Sequence, residues 1–409
     1  MKSQALLFAA LAVSGAASLP IAAVDVTASV PVAALVGANT NLGVALLRQI
    51  DVRDDNVLFS PFSISNALAM VAAGARGPTE RELLEVLGPG LKGPELAAAF
   101  EELNARVKAA PAAEAILTLA NSLWYQEGFP MNDAFTGILR QDFQARFAPV
   151  DFLRAAPAAC LAINQWVDEA TGHRIPVLVS PAMVGPRTRL LLANAVYFKS
   201  RWANEFKRAG TFPRLFFTKP DNPEHVPTMH LTTEFRTLDL EGLRILGLPY
   251  LDDRLSMAIL LPNAIDGLPG LESRLSGSDL SAWLRKLDEA RARETSVSLP
   301  RFRMESSFEL AGTLSKLGIA TLFQPEAADL SGIDGKRDLW VSNVVHKALI
   351  ETNEEGTVAA ASTGVVLTTF AVHMGPDPVE FNANHPFLFV IREKSTGVIL
   401  FMGRVMNPR

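Results

Sequence analysis

Residues 354–364 read Glu-Glu-Gly-Thr-Val-Ala-Ala-Ala-Ser-Thr-Gly, and residues 365–371 continue as Val-Val-Leu-Thr-Thr-Phe-Ala. No bulky side chain occurs between Gly356 and Gly364 of the first run. Its β-branched residues favour an extended backbone. At strand period one face carries only small side chains, namely Thr357, Ala359, Ala361 and Thr363. Such a face can slide over a packed core without clashes. This is typical of a segment that can join an existing sheet as an additional strand. A flexible small-residue surface loop is the alternative interpretation.

The segments on either side of this stretch support pairing within a sheet. Residues 340–352 are rich in Val, Leu, Ile and Thr and predict a buried strand. No proline occurs between Pro325 and Pro376. Because every residue of that run keeps its backbone donor, the stretch can pair with strands on both of its edges.

Periodicity along the chain predicts helices first and strands later. Apolar residues recur at helical spacing in 41–50, 63–75, 80–86, 96–107 and 158–170, with Ser63 opening the second helix. Strand-like runs follow at 190–198, 243–248, 257–261, 296–299, 340–352, 387–391 and 398–405. This order predicts an α+β fold with large, mostly antiparallel sheets.

The glycine-bounded stretch resembles the hinge of an inhibitory serpin, a family whose loop inserts into a sheet. Other segments resemble serpin motifs in the same order along the chain. They are residues 56–65, 163–167 with 171–175, 192–202, and 381–387 with 401–405. The resemblance implies the serpin fold, in which helices surround a large central β-sheet with further sheets. It also implies an exposed reactive loop, about residues 354–380, that inserts as a strand.

The resemblance further implies a suicide mechanism. A protease cuts the loop and forms an acyl-enzyme, and the freed hinge then enters the sheet and carries the enzyme with it. The implied reactive bond is Phe370–Ala371, with Thr369 or Met374 as alternative registers. The implied hinge residues are Glu354, Glu355, Gly356, Thr357, Val358, Ala359, Ala360, Ala361, Ser362 and Thr363. Val358 departs from the Glu that many inhibitory relatives carry.

Two further groups of residues carry over from the family. Ser60, Ser63, Asn194 and His346 match the polar cluster beneath the site where the sheet opens. Their hydroxyl, amide and imidazole groups must be paired if they are buried. Glu354 is expected to face Arg301 as a charge latch at the top of neighbouring strands. Trp202 resembles the tryptophan that packs where insertion begins.

An aromatic residue before the scissile bond fits the hydrophobic pocket of chymotrypsin-like proteases. Phe370 therefore predicts a chymotrypsin-like serine protease as partner, with subtilisin-like or elastase-like targets left open. The alternatives are a non-inhibitory serpin (carrier, chaperone or storage protein) and a cross-class inhibitor of papain-like cysteine proteases. An enzyme is not expected, because no GxSxG, HExxH or CxxC motif occurs in the sequence.

The length and net charge of the chain predict a single domain and give no indication of a nucleic-acid partner. The 409 residues carry a net charge of -5 and show no linker, so residues 35–409 are predicted to form a single serpin domain after a segment 18–34. Residues 1–17 have the charge, short apolar run and small-residue exit of a signal peptide. We therefore expect a secreted, extracellular or periplasmic monomer without membrane association.

The remaining motifs predict no cofactor and no metal. Cys160 lies in an apolar helical run and is expected to be buried and inert. The GxGxxG pattern at residues 88–93 contains Pro89 and is assigned to a loop, as are His225 and His230. Residues 101–110 offer only Arg106 and Lys108 beside two Glu, which leaves a heparin site unsupported.

Overall fold

The computed structural model of the protein describes residues 29–50, 55–109, 115–251, 253–357 and 377–409. The helices within these ranges are α1 (Val30–Gln49), α2 (Pro61–Ala72), α3 (Gly77–Leu87), α4 (Gly93–Ala109), α5 (Asp133–Gln141), α6 (Ala156–Ala170), α7 (Leu268–Arg274), α8 (Gly277–Glu289), α9 (Ala311–Lys316) and α10 (Ser331–Asp334). The strands are β1 (Val57–Phe59), β2 (Ile116–Gln126), β3 (Arg146–Val150), β4 (Leu190–Arg201), β5 (Phe212–Lys219), β6 (Asn222–Leu240), β7 (Leu243–Pro249), β8 (Leu255–Pro262), β9 (Arg293–Pro300), β10 (Phe302–Glu309), β11 (Val341–Thr352), β12 (Gly356–Thr357), β13 (Val379–Asn382), β14 (Phe387–Glu393) and β15 (Ile399–Val405).

The described strands form two sheets. The central sheet has six strands in the order β10-β11-β12-β4-β2-β3, and β11 also pairs directly with β4. The outer sheet has nine strands in the order β1-β15-β14-β8-β7-β6-β9-β13, with β5 paired to β6. Most pairs are antiparallel, whereas β11 with β4, β2 with β3, and β13 with β9 are parallel. The predicted α+β class with large, mostly antiparallel sheets is confirmed. In the outer sheet the long strand β6 pairs with β5, β7 and β9.

The side chains of β4 alternate between two hydrophobic cores, as strand geometry requires. Leu190, Leu192, Val196 and Phe198 pack into the main core with α1 to α5 and the outer sheet. Leu191, Ala193, Ala195 and Tyr197 pack into a second core beneath α6. The central sheet is therefore buried on both faces along this strand.

Helix α1 starts earlier than the prediction of 41–50. It begins at Val30, within the predicted N-terminal segment 18–34, because Val32 and Leu35 are buried in the main core. Of the described helices, it alone has the length and apolar character to cross a bilayer, with a mean hydropathy of 1.6. More than half of it, 56% of the most apolar window, is buried inside the protein, which assigns it to core packing.

Helix α2 also begins before its predicted start at Ser63. Its N-cap is Ser60, whose side-chain oxygen accepts a hydrogen bond from the Ser63 backbone amide. Pro61 occupies the first turn, where its fixed φ suits the helix and its missing amide costs nothing. Every residue of α2 is buried, and the helix packs against β2 and β4 of the central sheet and β15 of the outer sheet.

Several strands were missed because their sequences lack regular alternation. Strands β2 and β3 lie in the first half of the chain, so the predicted order of helices first and strands later is wrong there. Strand β6 contains Pro223 and Pro227, residues that usually interrupt a strand. His225 and His230 lie on this strand, which corrects their assignment to a loop.

Candidate functional site

The predicted hinge residues Glu354, Glu355, Gly356 and Thr357 lie where β11 turns back into the central sheet. After β11 ends at Thr352, the backbone amide of Asn353 donates to the carbonyl of Gly356 at 2.8 Å and closes a tight turn. Thr357 then lies opposite Thr352 on one side and Ser200 of β4 on the other. Strand β12 is therefore antiparallel to both neighbours and already separates the top of β11 from the top of β4.

Gly356 is required by the close approach of β12 to β4. Its φ of +154° lies in a region that side chains rarely allow. A Cβ atom at this position would lie 2.0 Å from the Ser200 carbonyl oxygen and 2.6 Å from the Arg201 Cα. Any residue other than glycine would push β12 out of its place in the sheet.

Thr357 anchors β12 through a buried hydrogen bond. Its side chain is fully buried, and its hydroxyl oxygen lies 2.8 Å from the phenolic oxygen of Tyr250. Burial raises the pKa of Tyr250, so the phenol keeps its proton. The Tyr250 ring stacks on Trp202, with centroids 4.6 Å apart and planes inclined by 12°.

Trp202 holds the turn before β12 from the β4 side. Its indole Nε1 donates to the Asn353 carbonyl at 2.9 Å, and its backbone amide donates to the Glu355 carbonyl at 2.9 Å. Arg208 forms an ion pair with Glu355 at 2.8 Å. Through these contacts Asn353 and Glu355 of the turn are held against the end of β4.

Glu354 is buried and faces Arg301, the residue that follows β9. Arg301 Nε donates to Glu354 Oε1 at 2.8 Å, a second guanidinium nitrogen contacts the same oxygen, and Thr211 Oγ1 donates to it at 2.5 Å. Burial alone would raise the pKa of Glu354, but the Arg301 and Thr211 hydrogen bonds outweigh it and hold the pKa below its usual value. The carboxylate therefore stays charged and ties the hinge to the outer sheet.

Below the hinge, β11 and β4 pair directly with each other. We call this parallel ladder the seam, which runs from the Leu349–Tyr197 pair down to the Val341–Leu190 pair. A strand that continued β12 downward would have to separate these two strands. Strand β12 thus separates β11 from β4 above the seam, whereas along the seam the two strands pair directly.

The predicted polar cluster lies across the middle of the seam. Asn194 and His346 are direct partners in the β4–β11 register, and His346 Nδ1 contacts Asn194 Oδ1. The Asn194 amide nitrogen contacts both the carbonyl and the hydroxyl of Ser63. The Ser60 backbone amide donates to His346 Nε2 at 3.1 Å. The four predicted residues thus connect both seam strands to α2.

The imidazole of His346 is neutral in this environment. Complete burial lowers the pKa of His346 to about 3. Its Nε2 accepts from the Ser60 amide, so the ring proton resides on Nδ1 and is donated to Asn194. A protonated ring would also place two donors face to face at Ser60.

Sequence reasoning missed three residues of this site. Asn121 on β2 accepts from Ser63 Oγ at 3.2 Å and contacts the Asn194 amide, which makes it a fifth member of the cluster. Its one signal is the polar Asn121-Ser122 pair inside an apolar run. Tyr250 and Thr211 gave no signal, because their roles depend on partners distant in sequence.

Some predicted residues lie outside the described ranges. These are the hinge residues Val358, Ala359, Ala360, Ala361, Ser362 and Thr363, the reactive bond Phe370–Ala371, the alternatives Thr369 and Met374, and the signal segment 1–17. The described hinge ends at Thr357.

Other candidate sites do not assemble in the part of the chain that the structure describes. No group of three or more His, Cys, Asp or Glu side chains there is placed to hold a metal ion. Cys160 is buried, its thiol donates to the Val179 carbonyl at 3.1 Å, and burial raises its pKa. The GxGxxG pattern spans the connection between α3 and α4.

Comparisons with known proteins agree with this geometry. The sequence matches the family described as serpin (serine protease inhibitor) over residues 37–408. A leukocyte elastase inhibitor of Bos taurus is 39% identical, with 91% of this chain and 99% of that protein covered. An uncharacterized serpin-like protein of Thermococcus kodakarensis is 36% identical, with 96% and 90% covered.

Solved structures share the fold. Serpin48 of the insect Tenebrio molitor aligns with a TM-score of 0.80 and 31% identity, covering 92% of this chain and 98% of that one. Uncleaved ovalbumin aligns with a TM-score of 0.80 and 29% identity, covering 92% and 100%.

Proposed function

The chain belongs to the serpin family of serine protease inhibitors, and from this premise we propose that it is a secreted suicide inhibitor of chymotrypsin-like proteases. It acts by binding a protease irreversibly, not as an enzyme. The observation that carries the mechanism is β12, which already lies between β4 and β11 and pairs with both. The loop that follows β12 needs only to continue along the same line.

The register of β12 defines the path of insertion. Gly356 lies opposite Arg201 and Thr357 opposite Ser200, so each further residue advances one position down β4. On this register Leu367 reaches Leu190, the last residue of the seam. Phe370 lies three residues beyond it, and the 14 steps from Gly356 to Phe370 span roughly 45 Å of strand.

On this register the first side chains to enter on the main-core face are small. Residues at odd positions share the face of Thr357, because successive side chains alternate. Ala359 and Ala361 would enter above the polar cluster, and Thr363 would lie between Asn194 and His346. A hydroxyl at that level can replace the hydrogen bond that the two residues lose when the seam opens.

Hydrogen bonding favours the inserted state. Insertion breaks one parallel ladder, the seam, and forms two antiparallel ladders along the new strand. The exchange adds about ten backbone hydrogen bonds, each worth about 0.5–1.5 kcal/mol net. The uncut loop cannot reach this state because both of its ends are tethered, so the intact form is kinetically trapped.

Cleavage supplies the tether to the protease. The protease serine hydroxyl attacks the Phe370 carbonyl carbon, the bond to Ala371 nitrogen breaks, and the new amine takes up the proton that the serine loses. The acyl-enzyme is then carried along as the hinge inserts. Insertion must be faster than deacylation for the protease to be trapped.

Phe370 supports the choice of a chymotrypsin-like target, because an aromatic side chain fills that class of specificity pocket. The relatives named leukocyte elastase inhibitor make an elastase-like target the second candidate. Secretion is supported by the sequence of residues 1–17. Recovery of the mature chain from the medium or periplasm, beginning after Ala16 or Ala17, tests this part of the proposal.

The direct test incubates the protein with chymotrypsin, pancreatic elastase, subtilisin and trypsin and separates the products on denaturing gels. We expect a covalent band near the summed masses with chymotrypsin and none with trypsin. Cleavage at Phe370 without such a band would assign the chain to the non-inhibitory serpins. The serine-to-alanine variant of chymotrypsin, which forms no acyl-enzyme, is the control.

A further inference from the structure

A small cavity lies on the α6 side of the central sheet, over the upper end of the seam. It has a volume of about 200 Å³ and is lined by His173, Arg174, Tyr197, Arg303, Leu349 and Glu351. Tyr197 and Leu349 form the uppermost pair of the seam. The cavity therefore straddles the two strands that separate first when a new strand enters.

The phenol in this cavity wall is left without a partner. Tyr197 is 3% exposed, and its hydroxyl has no hydrogen-bond partner among the described residues. Burial raises the pKa of Tyr197, so the group keeps a proton to donate. Buried polar groups are usually paired, so this hydroxyl has a hydrogen bond left to donate to a ligand in the cavity.

Two arginines bring positive charge to the same cavity. The Arg174 guanidinium lies over the Tyr197 ring, 5.5 Å from its centroid. Arg303 contacts Glu305 at 3.6 Å, and that carboxylate also binds Lys347 at 2.8 Å. Glu351 lies opposite Arg303 on β11.

The remaining charges around the cavity leave a positive excess. His173, at the rim, is bound to Asp168 at 2.7 Å. Glu351 is the one carboxylate in the lining, against the two guanidinium groups. The lining thus offers two guanidinium groups and a phenol hydroxyl as donors. Donors of these kinds recognise phosphate, sulfate and carboxylate groups.

We propose that this cavity binds a small oxyanion and that the bound anion holds the seam closed. Tyr197 belongs to β4, and Arg303 lies on β10, directly opposite Glu351 of β11. A strand inserted between β4 and β11 would move the two walls apart by about 4.8 Å. The anion can bridge both walls only in the closed sheet, so it stabilises that state over the inserted one. This second part rests on the proposed function.

The test of the site is calorimetric titration of the intact protein with inorganic phosphate at constant ionic strength. We expect one bound phosphate per chain. Tyr197→Phe, which removes only the hydroxyl, and Arg303→Ala should each weaken binding about tenfold. Arg285→Ala, an exposed arginine on α8, is the matched control and should not change it. Absence of binding, or binding that neither cavity variant weakens, overturns the site.

Sulfate and acetate serve as further probes of the same oxyanion chemistry. If sulfate competes with phosphate and acetate does not, the cavity prefers a tetrahedral anion. If acetate competes and sulfate does not, the cavity prefers a carboxylate. Melting curves of each variant without anion check that it is folded. Because no protease is present, a protein that fails to inhibit would still give an interpretable titration.

The regulatory part is tested with protein cleaved in its reactive loop. We expect phosphate to raise the melting temperature of the intact form, to leave that of the cleaved form unchanged, and to lower the yield of covalent complex. Equal binding to intact and cleaved protein would overturn the link to the seam, while the site itself would stand.

Discussion

Replacing Thr357 with arginine places a charge at the first buried position of β12. Thr357 has no exposed surface, and its hydroxyl is the partner of the buried Tyr250 phenol. Leaving that phenol unpaired costs about 1–3 kcal/mol. Enclosing a guanidinium without a partner costs several kcal/mol more. We therefore expect β12 to leave the sheet in Thr357→Arg, which removes the starting point for insertion.

The consequence for inhibition follows from a competition of rates. A barrier raised by about 3 kcal/mol slows insertion roughly 150-fold. Deacylation does not depend on the hinge, so it then precedes insertion and the protease is released. The variant becomes a substrate that is cut at the same bond.

The assay measures moles of inhibitor consumed per mole of chymotrypsin inactivated, together with the covalent band on a gel. Thr357→Ser keeps the hydroxyl and is the matched control, expected to behave as the native chain does. An undiminished yield of covalent complex from Thr357→Arg would refute the role of β12 as the start of the inserted strand.

Three more changes probe other parts of the account. Burial lowers the pKa of His346 to about 3 in the folded protein, against about 6.5 in the unfolded chain. The stability that depends on the neutral imidazole is therefore fully present above about pH 6.5 and is lost as the pH falls toward 3. Between pH 8 and pH 5 the loss is about 2 kcal/mol, and His346→Gln should flatten that part of the melting profile; an unchanged slope would count against it. Thr363→Val should lower the melting temperature of the cleaved form only, by leaving Asn194 and His346 without a partner, and an equal effect on the intact form would contradict the register. Phe370→Arg should abolish trapping of chymotrypsin and create trapping of trypsin, whereas continued trapping of chymotrypsin would place the reactive bond elsewhere, with Thr369→Arg as the next variant.

The sequence was most informative where a local pattern sufficed. Strand β11 was predicted within a residue of its observed start, because its apolar run is continuous. The glycine at 356 follows from a short motif, and the structure adds the reason, the Ser200 carbonyl at 2.0 Å from a Cβ. The serpin resemblance supplied the pairing of Glu354 with Arg301, which spacing alone could not give.

The features that were missed depend on contacts between distant segments. Tyr250 directly follows β7 of the outer sheet and bonds Thr357 of β12, and nothing near it in sequence marks that position. Strand β6 runs for 19 residues although it contains prolines. Its neighbours β5, β9 and β7 each pair with only part of it, and both prolines lie in the part that pairs with β5. Local propensity was overridden there by tertiary pairing.

The most direct measurement compares the thermal unfolding of the intact chain with that of the chain nicked once at its reactive loop. With about ten more backbone hydrogen bonds, the nicked form should melt higher by at least about 10 °C. If the two forms melt together, or the nicked form melts first, cleavage has added no strand to the central sheet and the trapping mechanism is wrong.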